Sequence, residues 1–132
     1  MLISEFMKEY LLDGSGITGW NWAKSDRLVL EVELANYNQE NYTEDMNDVR
    51  EIILILEGCT LIDELNEGFN GFSSGDAEIY DATEVKESTS PTARQGIRLV
   101  MQYDNYDGVD EKWLRIVIFA DEISVIDPKR PS

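Results

Sequence analysis

Residues 51–57 read EIILILE: Ile52, Ile53, Leu54, Ile55 and Leu56 run without interruption between two glutamates. A run this short and this rich in branched residues is a strand rather than a helix. Its apolarity at odd and even positions alike predicts burial on both faces, hence a central strand. It follows that aspartate at Ile53 or at Leu54 should prevent folding, because an unpaired buried charge costs several kcal/mol, comparable to total stability.

The neighbouring segments extend this into a sheet. In residues 27–37, Leu28, Leu30, Val32 and Leu34 alternate with Val29, Glu31, Glu33 and Ala35, the period of a half-buried strand. Residues 59–65 continue the 51–57 strand or pair with it after Gly58. Residues 77–87 alternate loosely. Residues 96–103 place Ile97, Leu99 and Met101 on one face, residues 113–120 (WLRIVIFA) form a strong strand, and 122–127 (EISVID) a short last one. Only residues 2–13 read as a helix, with Leu2, Ile3, Phe6, Met7, Tyr10 and Leu11 on one face and Gly14-Ser15-Gly16 ending it. The connections are too short for helical crossovers, so the strands are mainly antiparallel. The expectation is an α+β, mostly β, single domain over 1–132. A helix within 1–14 packs on a curved sheet of about six strands, a sandwich or a partly open barrel, over 17–127. A flexible tail follows at 128–132.

Charge narrows the function. Twenty-seven acidic residues against 11 basic ones give a net charge of −16. Such a surface repels phosphate backbones and anionic membranes, and speeds encounter with a basic protein. The chain has no histidine and one cysteine, Cys59, which removes the commonest general base, thiolate zinc sites and any intrachain disulfide. Cys59 reads as a small buried apolar residue. No run of 18 apolar residues exists, and MLISEFMKEYLLDG is not a secretory signal, so a cytoplasmic location is the default expectation. Asn41-Tyr42-Thr43 fits a glycosylation sequon that matters only in a secreted eukaryotic protein.

Several segments are candidate sites. The acidic stretch 38–51 holds Glu40, Glu44, Asp45, Asp48 and Glu51 against Arg50, with Tyr37 and Tyr42 as contact area for a basic partner. Its length exceeds an ordinary hairpin loop. The turn DNYDGVDE at 104–111 carries Asp104, Asp107 and Asp110, but Tyr106 and Gly108 fall at the wrong positions for a calcium loop. NEGFNGFSSGD at 66–76 lacks the lysine of a phosphate loop; Phe69 and Phe72 there are either tucked over the core edge or exposed to a partner. Trp20 and Trp22 share a face if residues 19–23 are extended, either at the core rim or as a platform for a sugar. With so many carboxylates, a pair at glycosidase spacing means little. No cofactor, metal or catalytic residue is predicted.

The stretches GWNWAKSDRLVLEVEL and DNYDGVDEKWLRIVIFADEISVID, a β-rich body after a short helix, resemble the immunity proteins of bacterial polymorphic toxin systems, including those of contact-dependent growth inhibition. The resemblance is one of layout and rests on no diagnostic motif. It implies a non-enzymatic, cytoplasmic protein, taken as a monomer. Such a protein binds a cognate toxin domain, expected to be basic and often a nuclease, and blocks its active site or substrate path. The residues expected to face that partner are Glu40, Tyr42, Glu44, Asp45, Asp48, Asp104, Asp107 and Asp110. Two other readings stand beside it: a small-ligand or carbohydrate-binding β domain using Trp20 and Trp22, and an acidic mimic of nucleic acid that inhibits a nucleic-acid enzyme.

Overall fold

A computed structural model describes residues 1–40, 43, 47–65, 68, 69, 77–104 and 111–129. One helix, α1 (Ile3–Glu9), precedes eight strands: β1 (Gly16–Lys24), β2 (Arg27–Ala35), β3 (Val49–Glu57), β4 (Thr60–Asp63), β5 (Ala77–Lys86), β6 (Gln95–Asp104), β7 (Glu111–Ala120) and β8 (Glu122–Ile126). Among the described residues these form one antiparallel sheet in the order β4-β7-β6-β5-β1-β2-β3-β8. The sheet therefore has eight strands where about six were expected. The strand most plainly overlooked is β1. Gly16, Gly19 and two register shifts against β2 break its alternation, so only pairing with β2 reveals it.

The strand order requires strong curvature. β3 and β4 are separated by Gly58 and Cys59 alone, and β7 and β8 by Asp121 alone. Yet β4 is first in the sheet and β3 seventh. In a flat sheet they would lie six strand spacings, roughly 28 Å, apart. A two-residue link spans about 10 Å at most. The sheet must therefore curl until both links close. Hydrogen bonds from Asp121 N to Glu57 O (2.9 Å) and from Cys59 N to Asp26 O (2.8 Å) hold the corner. Gly58 turns there with φ +66°, and a Cβ at that position would overlap the Asp121 carboxylate. Residues 60–63 accordingly pair with β7 and not with β3.

The curl has a fold line. β1 and β5 share only the register pairs Gly16↔Glu78 and Ile17↔Ala77, so β1-β2-β3-β8 and β5-β6-β7-β4 act as two quartets meeting along a short seam. Their concave faces form the core, with Leu28, Leu30, Leu34, Ile52, Leu54, Leu56, Ile79, Leu99, Met101, Ile116 and Ile123 all buried. Helix α1 adds Ile3 and Phe6 to it.

That helix is shorter than its periodicity predicts. Tyr10 is extended, at φ −131° and ψ 127°. The Leu11 N–H donates to Gln39 Oε1 (3.0 Å), and Gln39 Nε2 donates to Leu11 O (2.7 Å). The side-chain amide of Gln39 thus replaces the helical bonds Leu11 would have made. Leu11 is exposed and Leu12 buried, the reverse of what a continued helix would give.

The reading of 51–57 also needs correction. β3 is an interior strand between β2 and β8, but only Ile52, Leu54 and Leu56 enter the core. Ile53 and Ile55 are half-buried on the opposite face. The expectation that Ile53 tolerates no charge therefore falls, while that for Leu54 stands. At the C-terminal end, Pro128 and Lys129 form a turn in which the Lys129 N–H donates to Asp127 Oδ1 (2.9 Å), and the rest of the expected tail, residues 130–132, lies outside the described residues.

Candidate functional site

Cross-strand register shows which side chains face outward on the first quartet. Val29 lies opposite Ile55, which lies opposite Ser124; Glu31 lies opposite Ile53, which lies opposite Ile126. Glu33 faces Glu51, and Glu57 stands between Arg27 and Glu122. The result is an apolar strip of Val29, Ile53, Ile55 and Ile126 bordered by carboxylates. Ile126 is 55% exposed. A concavity of about 300 Å³ opens over the strip, lined by Thr18, Glu31, Glu51, Ile53, Ile126 and Pro128.

The electrostatics of this border are uneven. Glu57 is paired, its Oε1 2.8 Å from Arg27 Nε. Among the described residues, Glu31, Glu33 and Glu51 form no ion pair. Glu33 and Glu51 are both exposed and stand directly opposite one another, an arrangement that opposes strand pairing. Folding alone gives no reason for it.

The acidic connection between β2 and β3 leaves the sheet beside this pair. Asn36 N donates to Asp48 O (2.8 Å), and Asn36 Nδ2 to Asn47 O (2.8 Å), which clamps the two ends of the connection together. Glu40 and Asp48 are exposed, and Asp48 adjoins Val49 at the start of β3. Tyr42, Glu44 and Asp45 lie outside the described residues. Asp104 ends β6 on the other quartet and pairs in backbone register with Glu111; its side chain lies outside the described residues, as do Asp107 and Asp110 entirely. Glu40 and Asp48 are thus exposed in the connection between β2 and β3, and Asp104 belongs to a different quartet.

Beneath the same end of the sheet lies a buried polar network. Arg50 donates through its two terminal nitrogens to Asp127 Oδ2 (2.9 Å) and Asn36 Oδ1 (2.8 Å), and the Tyr10 hydroxyl donates to the same Asp127 oxygen (2.8 Å). Burial acts to raise the Asp127 carboxyl. The Lys129 N–H, the Tyr10 hydroxyl and the Arg50 guanidinium together outweigh it and hold the group below the usual carboxylate range. This network ties helix, loop base and C-terminal turn to one point.

The other candidates occupy ordinary places. Trp20 and Trp22 lie opposite Leu30 and Leu28, on the core side of the sheet, where both are half-buried. Their rings meet edge to face at 6.4 Å, and Phe69 packs on Trp20 at 5.2 Å. That places both tryptophans and Phe69 at the core rim, not on an open sugar platform; Phe72 lies outside the described residues. On the second quartet, Tyr80 and Trp113 are exposed and in ring contact at 4.9 Å. Cys59 is buried, its thiol donates to Leu56 O (3.3 Å), and burial pushes its pKa up to about 11. At pH 8 a disulfide reagent is expected to modify Cys59 in the folded protein about a hundredfold more slowly than in denaturant, because so little thiolate is present. Equal rates would show that the β3–β4 corner opens freely.

Sequence reading overlooked Glu31, Glu33, Ile53, Ile55 and Ile126 as a group. Glu31 and Glu33 were visible as the polar phase of β2, but the strip exists only once β3 lies between β2 and β8. No helix of the described structure is long and apolar enough to cross a membrane. Comparison of the chain with models of known protein families, with characterised proteins and with solved structures finds no match.

Proposed function

We propose that this protein acts by binding, without catalysis of its own, and that its partner is a basic, nuclease-like toxin domain which it neutralises by covering it. The observation that carries this reading is the outer face of β1-β2-β3-β8, where an apolar strip is left half-open inside a border of carboxylates, three of which form no ion pair among the described residues. Protein interfaces are built this way, with an apolar centre and a polar rim. The net charge of −16 adds a long-range field that speeds the approach of a cationic partner. The face is built on paired strands of one antiparallel sheet rather than on loops, which suits a binding surface. The resemblance of the sequence layout to that of immunity proteins supports this reading, and an intracellular toxin target would place the protein in the cytoplasm.

The test is co-expression with the product of the neighbouring gene, followed by association kinetics at two salt concentrations. Replacing Glu31, Glu33 and Glu51 with glutamine is expected to slow association about tenfold at low salt and to flatten its salt dependence. The same variant should melt at the same temperature or higher, because the Glu33–Glu51 repulsion is relieved, by roughly a few tenths of a kcal/mol. Unchanged association would remove this face from the interface.

A further inference from the structure

Gly58 and Cys59 are all that joins residues 1–57 to residues 60–132 along the chain, and the strands on either side of them, β3 and β4, do not pair with each other. The two parts are held together through space. β3 pairs with β8 from Ile53↔Ile126 to Glu57↔Glu122, β1 meets β5 at Gly16 and Ile17, and Arg50 and Tyr10 both donate to Asp127. Residues 60–132 of a second copy offer the same contacts, provided that the link opens.

The closed link is a specific conformation. Gly58 turns at φ +66°, a region that side-chain-bearing residues rarely adopt, and it lies under the carboxylate of Asp121. Its carbonyl accepts from Arg94 Nη1 (2.8 Å), and the Cys59 N–H donates to Asp26 O (2.8 Å). An extended link needs none of these. Every other contact is common to the monomer and to a dimer with exchanged parts. The balance between the two therefore falls to this link and to protein concentration. Short links between such parts favour exchange, and longer ones suppress it.

We propose that Gly58-Cys59 is the hinge of a strand exchange between two copies of this chain, in which residues 60–132 of each close on residues 1–57 of the other. Each outer face is then shared, with Val29, Ile53 and Ile55 from one chain and Ile126 from the other. The exchange rests on the hinge and not on what that face binds. A charge of −16 on each copy opposes association at low ionic strength, so added salt favours the dimer by screening.

The first test refolds Leu54→Asp and Ile116→Asp, separately and as an equal mixture, at high protein concentration in about 1 M salt. Leu54 lies in one part and the buried Ile116 in the other, so neither variant should fold alone. Exchange assembles one unit from the two unaltered parts. The mixture should therefore recover about half of the native circular dichroism, at the mass of a dimer in light scattering. Side-by-side association of unexchanged chains rescues neither variant. The second test is Gly58→Val, which should lower the dissociation constant of the dimer roughly tenfold or more, because the closed link becomes strained and the open one does not. A Gly-Ser-Gly-Ser insertion after Gly58 should return the chain to monomer. Either a mixture no more folded than its components, or a folded Gly58→Val that stays monomeric at all concentrations, would overturn the exchange.

Discussion

Leu54→Asp is expected to leave no folded protein, whereas Ile53→Asp, one residue away on the same strand, is expected to fold and to lose binding. Leu54 is 2% exposed and lies between Leu30 of β2 and Val125 of β8. A carboxylate there would find no partner in the core, at a cost of several kcal/mol against a total stability of roughly 5–15 kcal/mol. Ile53 points to the opposite face, where an aspartate reaches water. Its replacement should lower stability by only about 1–3 kcal/mol, leaving a cooperative thermal transition. If Ile53 anchors the interface, the same change should weaken partner binding about thirtyfold or more. Soluble expression, circular dichroism and a binding titration separate the two variants. Failure of both to fold would mean that the outer face of β3 is covered in the native protein, and the proposed interface would be lost with it.

Arg50→Ala is expected to cost about 3–5 kcal/mol, more than any exposed ion pair in the molecule. The Arg50 side chain is 14% exposed and that of Asp127 only 1%. Removing the guanidinium strands a buried carboxylate and deprives Asn36 Oδ1 of its donor. Asp127→Asn should be milder, because the amide oxygen can still accept from Tyr10 and Arg50, and the charge left without its counter-ion is that of Arg50, which is the more exposed of the two side chains. The pH dependence follows from the depressed Asp127 carboxyl. Its contribution is fully present above the unfolded carboxylate value of about 3.9, and is lost as pH falls through the lower folded value. Wild-type stability should therefore drop on the acid side below about pH 4, and Asp127→Asn should flatten part of that drop. The paired change of Arg50 to Met and Asp127 to Leu should recover much of the single-variant loss, since apolar replacements of buried ion pairs often do. A loss under about 1 kcal/mol for Arg50→Ala in urea titration would show that water reaches this network.

The order of events along β2 and β3 illustrates how far the sequence reaches. Leu28, Leu30, Val32 and Leu34 alternate cleanly, so their burial and the exposure of Glu31 and Glu33 are legible from period alone. Ile52 to Leu56 show no alternation, and period cannot say which residues face the core. Only pairing with β2 on one side and β8 on the other makes Ile53 and Ile55 an outward strip. The helix shows the complementary failure. Its apolar period continues through Leu11, but Gln39, 28 residues away, offers that backbone better-placed bonds and ends it early.

What the sequence determined by itself was the class: a mostly antiparallel β domain with one short helix, strongly acidic and without histidine. Local period, turn residues and composition carry that information, and each acts within a few residues of the chain. What the tertiary structure decided was the closure and the face. β4 left β3 for β7 because the curl brings β7 to the corner at Gly58, and no residue near position 60 announces that partner. The acidic strip likewise draws Glu31, Glu51, Ile53 and Ile126 from three strands, and their proximity is a property of register, which long-range pairing sets and local propensity does not.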